Sequence, residues 1–259
     1  MFDFLVFAGV GFLAQLIDGA LGMGYGVISS VMLLTTGVPP AQTSACVHAA
    51  KLFTTATSGA SHMVHDNVDR KLMLRLALAG VVGGVLGAAL LTQISGATMR
   101  PIVFIYLLIV GIVILVRCFK PAAESAPRAR LVAPLGAIGG FLDAIGGGGW
   151  GPVVTSTLIG TGAPPRYVIG SVNAAEFVVT CAIVSVFATT LLFGVWHESE
   201  GLLEQAVPVI GLIAGGIPAA IVAGRLLKHA PRRPLSIAVS ILIITLSSFE
   251  LVKWLGMLG

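Results

Sequence analysis

Five ionisable residues stand in stretches otherwise as apolar as lipid: Asp18, His48, Lys51, Asp143 and Glu176. A charged side chain at the centre of a bilayer costs about 2.5–3.5 kcal/mol or more, so function is the default reading of each. His48 and Lys51 are three apart and share a helix face, as do Asn173 and Glu176. Two readings of Lys51 stand side by side. Either it partners the charge of an anionic substrate while Glu176 carries a proton, or the two residues simply neutralise each other. Asp18 and Asp143 each precede a glycine cluster by four residues. A carboxylate there can accept N–H bonds from a broken backbone; coupling to protons or sodium is the other role open to it.

The clusters are Gly22, Gly24 and Gly26 around Tyr25, and Gly147, Gly148, Gly149 and Gly151 around Trp150. Glycine-rich turns that open a helix present backbone N–H groups and the positive helix end to an anion. A sulfonate, sulfite, carboxylate or phosphate group fits that chemistry. The plainer alternative is that these small residues only let helices approach closely. No G-K-[ST] follows either cluster and no strand–helix unit flanks it, so nucleotide and dinucleotide sites fail. The loop residues His62, His65 and Asp66 lack the helical spacing of a metal site. Ser61 and His62 are adjacent at a helix end and make a poor nucleophile–base pair. No cofactor is expected.

The surroundings of these residues define the class. Of 259 residues, 56% are hydrophobic and 10% charged, against about 25% charged in a soluble domain. Segments such as 101–116, PIVFIYLLIVGIVILV, are apolar all round, which a soluble amphipathic bundle does not allow. The expected fold is therefore an all-α polytopic membrane protein. The isolated Cys46, Cys118 and Cys181 make neither a disulfide framework nor a metal site. Asp3 stands where a signal peptide carries Lys or Arg, so the first segment reads as part of the mature chain.

The chain also repeats itself. At an offset of 125, Asp18 falls on Asp143, the three spaced glycines on Gly147, Gly149 and Gly151, Tyr25 on Trp150, and Lys51 on Glu176. Thr36–Pro40 falls on Thr161–Pro165, and 14 of the 45 positions from 11 to 55 are identical without a gap. Lipid-facing composition alone repeats Leu, Val and Ala; it does not repeat aspartate, spaced glycines and a double proline. Two halves follow, 1–117 and 131–259, joined by the linker 118–130. Each is read as about five membrane segments: a glycine-interrupted stretch (4–36 and 131–160), then helices near 42–62, 74–92 and 99–117, or 167–193, 205–224 and 235–255.

Charge orients the segments. Loop 62–75 carries Arg70, Lys71 and Arg75, whereas its counterpart 194–204 carries Glu198, Glu200 and Glu204 and no Lys or Arg. Opposite bias in corresponding loops predicts inverted halves. With loop 62–75 cytoplasmic, 12 of the 15 Lys and Arg lie on that side and both termini are periplasmic. The same rule accounts for the pI near 9.2 without nucleic acid. Residues 131 and 160 then lie on one side, so the stretch between them must enter the membrane and return, turning at Gly146–Gly151. Gly22–Gly26 would turn in from the opposite face.

The repeated G-F-L followed by G-x-G-x-G, the G-x-P-P turns and Asn67-Val68-Asp69 resemble the TauE/SafE family, also called the 4-toluene sulfonate uptake permease family. The resemblance covers nearly the whole chain. It implies a secondary transporter of sulfur-containing anions, such as sulfite, sulfoacetate or aryl sulfonates, in the bacterial inner membrane. Importers and exporters both occur in the family. By position, the two glycine motifs and Ser171-Val172-Asn173 match the family's. Met23 and Tyr25 depart from it, as does Trp196-His197-Glu198 where a second N-V-D would stand. The expected partners are a small anion, protons as the coupling ion, and the bilayer. An anion channel and a membrane-embedded enzyme are the rival classes.

Overall fold

A computed structural model describes residues 2–119, 129–196, 198–226 and 232–256. Among these the regular structure is all helical: α1 (Phe2–Leu21), α2 (Tyr25–Thr35), α3 (Pro40–Val64), α4 (Arg70–Leu91), α5 (Gly96–Arg117), α6 (Ala129–Gly146), α7 (Gly151–Gly160), α8 (Pro165–Leu192), α9 (Ala206–Leu226) and α10 (Arg232–Trp254). The first five residues of α7 are wound as a π-turn. Most of the linker 118–130, part of loop 225–234 and His197 lie outside the described residues.

Six of these helices are long and apolar enough to cross a membrane. Their exposed faces are aliphatic: Leu74, Leu78, Val82 and Leu86 stand three or four apart along α4, and Ile102, Ile105 and Ile109 along α5. Such stripes face lipid tails. The chain is a multi-pass membrane protein. The 25 residues of α3 are long enough to span, at about 1.5 Å each, but they include Gln42, Ser44, His48, Lys51, Thr54 and Ser58, all buried. Their burial explains why α3 is polar: it stands inside the bundle, packed between α8 and α9.

Helix starts fall earlier than the hydropathy suggests, for local reasons. Pro40 and Pro165 occupy the first helical position of α3 and α8, where proline's fixed φ and missing N–H cost nothing. Asp69 caps α4, accepting from the N–H groups of Lys71 and Leu72 at 2.9 and 3.1 Å, so α4 begins at Arg70 rather than near 74. These starts lengthen α3, α4 and α8 into their loops and leave the order of segments unchanged.

Packing is reciprocal between the halves. α1 lies against α9 and α6 against α4, while α3 meets α8 and α5 meets α10. Glycines make the tightest seams. Gly140 lies on the backbone of Gly80, and Gly215 on that of Ala8, the close approach small residues allow in membranes. Within the second half Gly139 meets Val154, and Gly149 meets Leu142 and Asp143. The middle and end of α6 thus pack against the turn and the first turn of α7.

Candidate functional site

Each break is a short turn between a long and a short helix. Gly22 and Gly147 hold φ of +67° and +70°, a left-handed conformation that L side chains rarely adopt. Their N–H groups bond back to the carbonyls of Asp18 and Asp143 at 2.6 and 2.7 Å. The aspartate side chains then reach across the turn. Asp18 Oδ1 accepts the Tyr25 N–H at 3.4 Å and Asp143 Oδ1 the Trp150 N–H at 3.1 Å. In lipid such first-turn donors need a partner, and these carboxylates provide one.

The two breaks touch. Gly26 and Val27 of α2 abut the turn Gly147–Gly148, and Gly151 of α7 abuts Gly22 and Met23. Ser30 meets Gly147, and its counterpart Thr155 donates its hydroxyl to Gly22 O at 2.7 Å. The turn of each break therefore sits on the first turn of the other half's short helix. A methyl group on Gly26, Gly148 or Gly151 would collide with backbone. The aromatic residues anchor the crossing. Trp150, fully buried, lies against Gly80 and donates Nε1–H to Val172 O at 3.0 Å; Tyr25 lies near Gly216 and donates its hydroxyl to Leu212 O at 3.2 Å.

Beside this crossing lies a cluster of buried charge. Lys51 Nζ is 2.8 and 3.0 Å from the two oxygens of Asp143 and 2.6 Å from Glu176 Oε1. Lys51 is 1% exposed and Asp143 0%, so the ammonium would be very costly without these partners. His48 Nε2 lies 3.1 Å from Asp143 Oδ2, while Nδ1 lies 2.8 Å from Ser44 O. Nδ1 also lies 3.2 Å from Ser44 Oγ, so both ring nitrogens have oxygen partners. Ser44 Oγ donates to Ala144 O at 2.5 Å, tying α3 to α6 next to Asp143.

Four of the five ionisable residues singled out in the sequence therefore meet. Asp18 is buried with them but makes no ion pair among the described residues. Asn173 is buried, donates Nδ2–H to Ile169 O at 3.1 Å, and has an Oδ1 with no hydrogen-bond partner. Ser171 points elsewhere: its hydroxyl receives the Asp69 N–H at 2.8 Å and lies 3.2 Å from Asp69 O, holding the loop before α4. Tyr106 escaped sequence reasoning, although its buried, unpartnered hydroxyl lies against Gly149. An isolated tyrosine in an apolar run gives no signal. Among the described residues no group of His, Cys, Asp or Glu is arranged for a metal.

Broken helices crossing beside a buried charge cluster in a multi-pass bundle are a feature of many membrane transporters. The chain belongs to the family described as "Sulfite exporter TauE/SafE", whose profile matches residues 7–249. It is 40% identical over 260 residues to the "Probable membrane transporter protein YtnM" of Bacillus subtilis (strain 168), an alignment covering 97% of this chain and 84% of that one. It is 28% identical over 258 residues to the "Probable membrane transporter protein ORF9" of Sinorhizobium sp, covering 95% and 94%. No solved structure matches.

Proposed function

We propose that this membrane transporter is a proton-coupled secondary carrier of a small sulfur-containing anion, sulfite or an organosulfonate, across the bacterial inner membrane. Its halves, 1–117 and 131–259, are inverted relative to each other, with the linker cytoplasmic and both termini periplasmic. The reciprocal contact of the two breaks supports this arrangement, because the turn of each break meets the first turn of the other half's short helix. A two-fold axis relating the halves produces that pattern, and the opposite charge bias of corresponding loops sets it in the membrane plane.

One observation carries the reading of the site: a buried lysine held by two carboxylates beside two helix breaks. An arriving oxyanion competes with Glu176 and Asp143 for Lys51, and with Asp18 and Asp143 for the first-turn N–H groups of α2 and α7. Protonating a carboxylate removes that competitor, so the anion's place is coupled to a proton. His48, whose two ring nitrogens face oxygens, is suited to relay it. Asn173 Oδ1 and the glycine turns complete the surface that closes on the ligand.

The family's description favours export. An inside-negative potential itself drives a monoanion outward, by about 2.3 kcal/mol per 100 mV. The deciding experiment is transport of labelled sulfite and 4-toluenesulfonate in proteoliposomes with imposed pH and voltage gradients. Accumulation driven by a pH gradient and abolished by a protonophore is the expected result. Equilibration that never exceeds the electrochemical gradient of the anion itself would make the protein a channel.

A further inference from the structure

A cavity of about 430 Å³ opens where α5 ends and α10 begins. Its polar lining is cationic and hydroxylic. Arg117 closes α5, Arg233 and Ser236 stand in the first turns of α10, and Ser156 and Thr157 come from α7. Arg117 Nη1 donates to Ser156 Oγ at 2.6 Å and to Thr157 Oγ1 at 3.2 Å. The Arg233 guanidinium lies over the Phe119 ring, 5.1 Å from its centre. Among the described residues no carboxylate lines this cavity. The remaining wall is apolar: Leu21 and Met23 flank the first break, and Ile114 and Ile159 close the sides.

A second cavity of about 400 Å³, at the opposite end of α5, provides the contrast. There Arg100 is accompanied by Glu198 and Glu200, so an anion gains little. Net positive charge beside an apolar floor belongs to the first cavity alone of these two.

We propose that the α5–α10 cavity is a loading site for an organic anion with a compact apolar body, for which 4-toluenesulfonate serves as the probe. The site lies in series with the central cluster and rests on the transport reading above. Guanidinium groups match the oxygens of a sulfonate, and the aliphatic floor takes the ring from water. Sulfite has no apolar body to place there and forgoes that gain. The volume falls within the range of small-molecule pockets. A ligand seated this way presses its ring against Met23, at the first break, with its charge toward the mouth.

The test is calorimetric titration of the purified full-length chain in neutral detergent, with 4-toluenesulfonate and sulfite as probes. Arg233→Gln and the cavity-filling Ile159→Trp should each weaken 4-toluenesulfonate binding about tenfold and leave sulfite binding within twofold of wild type. Arg117→Gln also breaks the bonds to Ser156 and Thr157, so the exposed Arg233 decides the question if that variant does not fold. Toluenesulfonate affinity unchanged in both Arg233→Gln and Ile159→Trp, or sulfite bound as tightly as toluenesulfonate by the wild type, would overturn the proposal. So would displacement of toluenesulfonate by anionic phospholipid alone, which assigns the cavity to a headgroup. Labelled transport in phosphatidylcholine vesicles separates the two ideas: binding at the cavity without transport keeps the site and removes the carrier.

Discussion

The two breaks match in sequence at an offset of 125 but hold their aspartates differently. Asp143 binds the N–H of its turn, the Lys51 ammonium and His48. Asp18, its counterpart, has the Tyr25 N–H at 3.4 Å and, among the described residues, no ion pair. The cause lies one helix further on. α3 carries His48 and Lys51, and α6 brings Asp143 to them; α8 carries Asn173 and Glu176 in the same places, and a carboxylate offers Asp18 nothing. Glu176 turns to Lys51 instead. A cation on one side and an anion on the other has converted a symmetric scaffold into a site with one saturated and one spare carboxylate.

That contrast is most severely tested at Lys51. Lys51→Met should cost about 3–5 kcal/mol by leaving Asp143 and Glu176 buried without a counter-charge, read as loss of the monodisperse peak on heating and size-exclusion chromatography. Adding Asp143→Asn and Glu176→Gln should restore much of the stability and none of the transport. The aspartate pair comes next. Asp143→Asn should lower the melting temperature well below that of Asp18→Asn, since only the first removes an ion pair. Asp18→Asn should act chiefly on the pH profile of transport. Equal melting temperatures for the two variants would refute the asymmetry.

A smaller effect separates the aromatic anchors. Tyr25→Phe removes one hydrogen bond, worth about 0.5–1.5 kcal/mol. Trp150→Phe removes a hydrogen bond and part of a fully buried ring, so it should destabilise more. Weakest should be the loop contacts. Gln42 Nε2 at the start of α3 donates to the carbonyls of Glu198 and Glu200, and Arg166 at the start of α8 donates to Asn67, His65 and Asp66. Alanine at either should change melting by a degree or two, and each should speed substrate entry chiefly at its own face.

The offset of 125 in the sequence already paired Asp18 with Asp143 and Tyr25 with Trp150, and buried charge in apolar runs pointed to the cluster. The offset reveals equivalence, not contact. That Gly26 meets Gly147, or that Lys51 selects Asp143 over Asp18, depends on how α3 and α6 are set against each other, which no periodicity encodes. Ser171 shows the limit from the other side, because a motif position beside Asn173 serves a loop backbone. Arg117 lines a cavity because α7 passes beside it, a contact that no sequence spacing announces.

The contact between the breaks has the form of a self-complementary dimer interface written into one polypeptide. A homodimer of single halves would have to place the same residue at both positions 51 and 176, lysine against lysine or glutamate against glutamate. Covalent fusion lifts that restriction. Expressed as separate fragments, the halves should therefore associate as an obligate heterodimer and reject their own kind, with Lys51 and Glu176 acting as the address that each half reads on the other.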